Sequence, residues 1–203
     1  TLARYGFSPY IACAHNCAYC DGRAEKYYIE GDFGSDIIVR RNLPELLERE
    51  LSRAVEPGLV SVGSGVSDPY QPAEERYCLM RGAAEILAQH DLPVSVMTKS
   101  ALALRDLDIW TQVHRRGGFL LLVSLITLDD SLRAGFEPGA SSVGARLDMI
   151  SAFASAGIPV GVLMMPLLPG LSDAGDQVEA LTRPLGSRGV RFVIPGALTL
   201  RPG

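Results

Sequence analysis

Apolar positions fall into two alternating patterns along the chain. Short continuous runs such as FLLLVSL at 119–125 and PVGVLMMP at 159–166 read as strands covered on both faces. Longer stretches between the runs repeat their apolar residues at helical spacing. Strands are predicted over 6–12, 59–63, 93–98, 119–125, 160–165 and 190–194, and helices over 43–55, 75–90, 107–116, 142–156 and 173–187. The first helix follows Asn42, a good N-cap, carries Pro44 in its first turn, and sets Leu46, Leu47, Leu51 and Val55 on one face. Gly157, shortly before Pro159, punctuates the end of the fourth. Five strand-helix units and a sixth strand predict an α/β fold: a partial TIM-type (β/α)6 barrel of parallel strands with outer helices, or an open doubly wound sheet. In either architecture the chemistry belongs at the carboxyl ends of the strands.

Composition narrows the class without changing that picture. The chain has 203 residues, 47% hydrophobic and 21% charged, the balance of one globular domain, which excludes disordered and collagen-like chains. No apolar run approaches the roughly 18 to 20 residues of a membrane span, and residues 1–8 lack a signal-peptide shape. The expectation is a cytoplasmic protein with no membrane partner. A formal charge of −4 supplies no global basic field, so nucleic acid is a possible partner without support from charge. The pairs Arg40-Arg41 and Arg115-Arg116 read as solvated helix ends. The chain begins without Met and stops just after a strand, so 1–203 is expected to be a core domain shortened at its C-terminus.

Three of the four cysteines lie within CAHNCAYC, residues 13–20, directly after the first strand. Thiolates are soft ligands, and without a secretory signal the cluster of Cys13, Cys17 and Cys20 points to metal or redox chemistry rather than disulfides. An iron-sulfur cluster takes one thiolate per iron, so three cysteines hold three irons of a four-iron cluster and leave the fourth open. A simple electron carrier would close that site, but the remaining Cys78 lies in a predicted helix and reads as a small buried hydrophobe. Zinc is the alternative, with His15 completing a Cys3His set, although four ligands within eight residues crowd a tetrahedral site.

Cys-x3-Cys-x2-Cys with an aromatic, Tyr19, before the last cysteine resembles the signature of radical S-adenosylmethionine enzymes. SPYIACAHNCAYC (8–20), SDPYQPAE (67–74), TKSALALRDLD (98–108), VSLITLD (123–129) with EPGASSVGARL (137–147), and AGIPVGVLMMPLLPGLSD (156–173) are similar to successive blocks of the spore photoproduct lyase-like group. The resemblance implies a [4Fe-4S] cluster on the three cysteines and S-adenosylmethionine bound at its open iron. It implies one-electron cleavage of that cofactor to methionine and a 5′-deoxyadenosyl radical that abstracts hydrogen from a substrate. Reduced flavodoxin or ferredoxin is the implied electron donor. Cofactor contacts are expected from Tyr19, from Ser67 and Lys99 at the cofactor carboxylate, from Ser124, and from Gly63 and Gly65, which stand where many relatives carry Gly-Gly-Glu. The substrate is not readable, and no catalytic residue beyond these is assigned.

One departure from the group matters for activity. The genuine lyase uses a cysteine shortly before the serine of this loop as hydrogen donor, and Gly63-Ser64-Gly65-Val66 contains none. A serine O–H does not replace a thiol S–H as a hydrogen-atom source. The expectation is a relative of the lyase that does not perform the lyase reaction efficiently.

Overall fold

A computed structural model describes residues 3–53, 56–63 and 66–200. Its strands are β1 (Tyr5–Phe7), β2 (Tyr10–Ile11), β3 (Ile38–Val39), β4 (Val60–Val62), β5 (Val94–Thr98), β6 (Phe119–Ser124), β7 (Val160–Leu167) and β8 (Val190–Ala197). Helices α1 (Leu43–Leu51), α2 (Ala73–Tyr77), α3 (Leu79–Leu87), α4 (Leu107–Arg116), α5 (Asp130–Phe136), α6 (Val143–Ser155) and α7 (Gly175–Gly186) run between them. Six strands form one sheet in the order β1-β4-β5-β6-β7-β8, and every neighbouring pair is parallel. This is the expected α/β fold. All the C-terminal strand ends therefore face the same way, which is what allows loops distant in sequence to meet.

The β-branched runs supply the core. Val62, Val96, Leu121, Val123, Val160 and Val162 of the strands are fully buried, each contributing roughly 1.5 to 3 kcal/mol relative to exposure. Trp110 and Val113 of α4 and Met149, Ile150 and Phe153 of α6 cover them. The Trp110 ring stacks on Phe119 with centroids 4.4 Å apart. Ser142 caps α6 by accepting the Ala145 N–H at 3.2 Å. Among the described residues no helix is long and apolar enough to cross a membrane.

Several boundaries differ from the sequence expectation, for local reasons. The first strand ends at Phe7; after Pro9, which has no N–H for a ladder, the chain resumes as β2, paired antiparallel with β3. The helix expected over 75–90 is two helices, broken at Cys78 in the left-handed region with φ +49°. At the break the buried Glu74 carboxylate accepts the Met80 N–H at 3.0 Å and so caps the start of α3. Cys78 is consequently exposed and not the buried hydrophobe expected. Helix α5 escaped the periodicity because it is short; Asp129 starts it by accepting the N–H groups of Ser131 and Leu132 at 2.8 and 3.2 Å.

Candidate active site

The carboxyl ends of the strands from β4 to β8 and the loop that follows β2 enclose a cavity of about 340 Å³. Cys13, Cys17 and Cys20 line it together with Ser67, Lys99 and Ser124. Tyr19, His15 and Asp68 also contribute to its wall. The cysteine loop is shaped by Ala12 and Asn16, both at positive φ, +65° and +52°. Distant segments hold its backbone: the Cys13 N–H donates to Phe33 O at 3.2 Å, the Ala18 N–H to Phe136 O at 2.8 Å, and the Gly139 N–H to His15 O at 3.0 Å. Gly139 has to be glycine, because a Cβ there would overlap the Ala14 carbonyl.

Residues 7–181 match the Radical SAM superfamily. The chain belongs to this superfamily. An uncharacterized protein of Mycobacterium tuberculosis is 34% identical over 98% of this chain and 59% of its own length. Another, from Methanocaldococcus jannaschii, is 29% identical over 84% of this chain and 63% of its own length. The chain thus spans about 59% and 63% of these relatives. Among solved structures, spore photoproduct lyase with bound AdoMet and dinucleoside spore photoproduct superposes with TM-score 0.72 at 20% identity, covering 96% of this chain and 56% of that one. Streptococcus suis SuiB bound to S-adenosylmethionine gives TM-score 0.66 at 15% identity, covering 98% of this chain and 40% of that one. The fold is therefore that of the radical SAM partial barrels.

A radical SAM core implies an iron-sulfur centre, and the donor set fits one. Burial pushes the Cys13 and Cys17 thiols up to about 12, the Asp68 charge adding to the effect at Cys13 and Lys99 opposing it at Cys17. Burial raises Cys20 as well. Thiolates here need a bound cation to offset their desolvation.

Beside the cysteines lies a cationic wall. Lys99 Nζ donates to Ser124 Oγ at 2.9 Å and sits 4.0 Å from Glu137 Oε1. Tyr19 donates its hydroxyl to Glu137, whose other oxygen accepts from Arg146 Nη2 at 2.6 Å. Arg146 also donates to Ser124 O at 2.8 Å, so one fully buried ion pair joins the aromatic of the cysteine motif to the end of β6. Burial, then the Glu137 charge, holds the Tyr19 hydroxyl far above its ordinary value. Across the cavity, Asp68 accepts from Thr98 Oγ1 at 2.7 Å, the Lys99 N–H at 2.7 Å and the Tyr70 N–H at 2.8 Å. Burial pushes its carboxyl upward, but His15 beside it, the Lys99 N–H and the Thr98 hydroxyl outweigh it, and the net shift is downward.

The fold thus gathers Cys13, Cys17, Cys20, Tyr19, Ser67, Lys99 and Ser124 around one cavity. Gly63 does not line it; at φ +92° a Cβ would come within 2.8 Å of Met97 O and 3.2 Å of Pro69 Cδ, so its glycine serves a close approach between β4 and β5. Gly65 lies outside the described residues. Gln71 is a polar side chain beside the site whose place periodicity did not reveal, although it falls inside a block already singled out by its motif-like composition.

Proposed function

We propose that residues 1–203 form the cofactor-binding core of a radical S-adenosylmethionine enzyme, with a [4Fe-4S] cluster on Cys13, Cys17 and Cys20. When bound, the cluster and S-adenosylmethionine supply one-electron cleavage of the cofactor's sulfonium and a radical that abstracts hydrogen from a substrate. The observation that carries the proposal is the convergence of three cysteines and a half-buried lysine on one cavity at the carboxyl edge of the sheet. Lys99 is the group for the cofactor carboxylate, because an ammonium has three hydrogens and gives one to Ser124. Ser124 holds that ammonium in place, and Tyr19, fixed by Glu137, forms the wall between the cysteines and the β6 end. Met165, Ala197 and Leu198 also line the cavity. Reduced flavodoxin or ferredoxin supplies the electron, and the substrate lies outside what these residues specify.

Anaerobic reconstitution tests this reading. The loaded protein is expected to absorb at about 400 nm and to form 5′-deoxyadenosine on reduction, and a Cys17→Ala variant that still formed it would sink the assignment. The absence of cysteine from 63–66 further supports a substrate other than the spore photoproduct. Recovery of thymine dinucleotide from a dinucleotide photoproduct at an appreciable rate would reverse that view.

A further inference from the structure

Ala12, immediately before Cys13, sits at φ +65°, a conformation that a residue with a Cβ seldom holds unaided. Two buried side chains from the loop after β4 support it. Ser67 Oγ donates to Ala12 O at 3.1 Å, and Gln71 Nε2 donates to the same carbonyl at 3.1 Å. Gln71 Oε1 accepts the Ala14 N–H at 2.8 Å. The Gln71 amide, at 0% exposure, therefore binds the backbone on both sides of the first cysteine, as a neighbouring strand would.

We propose that Ser67 and Gln71 are positioning residues that clamp the backbone around Cys13, and that Ser67 serves the cysteine loop rather than the cofactor carboxylate. The inference rests on the reading of the three cysteines as cluster ligands. A hydroxyl has a single hydrogen, and Ser67 gives it to Ala12 O. Carboxylate recognition then rests with Lys99.

Ser67→Ala and Gln71→Leu test the clamp against the carboxylate role. Three quantities are compared with wild type: the rate at which an iron chelator strips the reconstituted cluster, the Kd for S-adenosylmethionine of the loaded protein, and the rate of iodoacetamide alkylation of Cys13 in metal-free protein. Ser67→Ala is expected to speed cluster loss roughly threefold, and Gln71→Leu, which removes the bonds to Ala12 O, to the Ala14 N–H and to Ser67 Oγ, roughly tenfold or more. Cys13 alkylation rises by similar factors while Cys20 alkylation stays at the wild-type rate, which separates loosening of Cys13 from general unfolding. The Kd of loaded Ser67→Ala stays unchanged. Wild-type chelation kinetics with a weakened Kd in Ser67→Ala overturns the clamp and returns Ser67 to the carboxylate. If the wild type takes up no iron, the cluster reading fails by itself, and the alkylation rates still decide the clamp, unchanged rates overturning it. Should Gln71→Leu not fold, Ser67→Ala, which removes one oxygen, carries the test.

Discussion

Two buried polar networks lie on either side of β5, and they are built differently. In the outer one, Arg105 Nη2 lies 2.7 Å from both Glu74 Oε1 and Asp106 Oδ2, two fully buried carboxylates. Tyr10 Oη donates to Glu74 at 2.6 Å, Tyr70 Oη to Asp106 at 3.1 Å, and Trp110 Nε1 to Tyr70 Oη at 2.7 Å. Burial and then the neighbouring carboxylate hold Tyr70 well above its ordinary value, so it remains a donor. Charges and hydroxyls there answer one another within the chain. The network at the cavity is open on one side. Glu137 and Arg146 pair at 2.6 Å and His15 Nδ1 lies 3.4 Å from Asp68 Oδ2, but the Lys99 ammonium, which lines the cavity, gives only one of its three hydrogens to Ser124 Oγ, at 2.9 Å. Buried polar groups that are answered internally stabilise a fold; those left facing a cavity favour whatever fills it.

The contrast can be broken from either side. Cys17→Ala should have the largest effect: complete loss of 5′-deoxyadenosine formation, with metal-free thermal stability close to wild type by circular dichroism. Arg105→Ala should do the reverse. It removes the cation between two buried carboxylates, which keep only hydroxyl and N–H donors and, for Asp106, Arg81 at 3.6 Å; the cost of about 3 kcal/mol is read as a lowered denaturant midpoint, while iron uptake stays at the wild-type level. Lys99→Ala should weaken S-adenosylmethionine binding by about tenfold, the lower end for a hydrogen bond to a charged group, with little change in the denaturant midpoint. Equal losses of stability in Arg105→Ala and Lys99→Ala would erase the distinction between the networks.

The smallest effect is expected at the rim. Asp130 accepts from Arg133 and from the Val143 N–H at 2.9 Å, pinning the segment that carries Glu137. The Arg133 guanidinium, then the Val143 N–H, lowers its carboxyl to about 2. A depressed folded value means that its stabilisation is fully present above the ordinary carboxylate value and is lost as pH falls through about 2. The stability difference between wild type and Asp130→Asn should therefore be constant at neutral pH, shrink as pH falls through about 2 and vanish below it, as followed by thermal unfolding. A difference that stayed at its neutral-pH size at pH 2 would assign the contribution to packing.

The parallel sheet was legible because buried parallel strands are continuous apolar runs, and FLLLVSL and PVGVLMMP have no other good reading. The three cysteines were legible as one candidate ligand set because their spacing within one short loop is local information. The break at Cys78 was not: Glu74 folds back there onto the Met80 N–H, a contact that helical periodicity does not encode. Gly63 read as a ligand-facing glycine; the structure adds a second demand on it, a close approach between β4 and β5 that needs the neighbouring Met97 carbonyl to be in place. Ser67 and Lys99 were expected to share one duty, yet their hydroxyl and ammonium point to different partners, Ala12 O and Ser124 Oγ.

By itself, the sequence determined the strand-helix alternation and the parallel sheet, and singled out the three thiols as one candidate ligand set. These follow from hydrophobic period and from residues a few positions apart. Tertiary structure alone decided that Glu137 holds Tyr19 across 118 residues, that Gln71 and Ser67 grip the backbone around Cys13, and that one polar network closes on itself while the other faces a cavity. Such pairings are set by which parallel strands lie side by side, because only sheet order and register bring their loops within hydrogen-bonding distance.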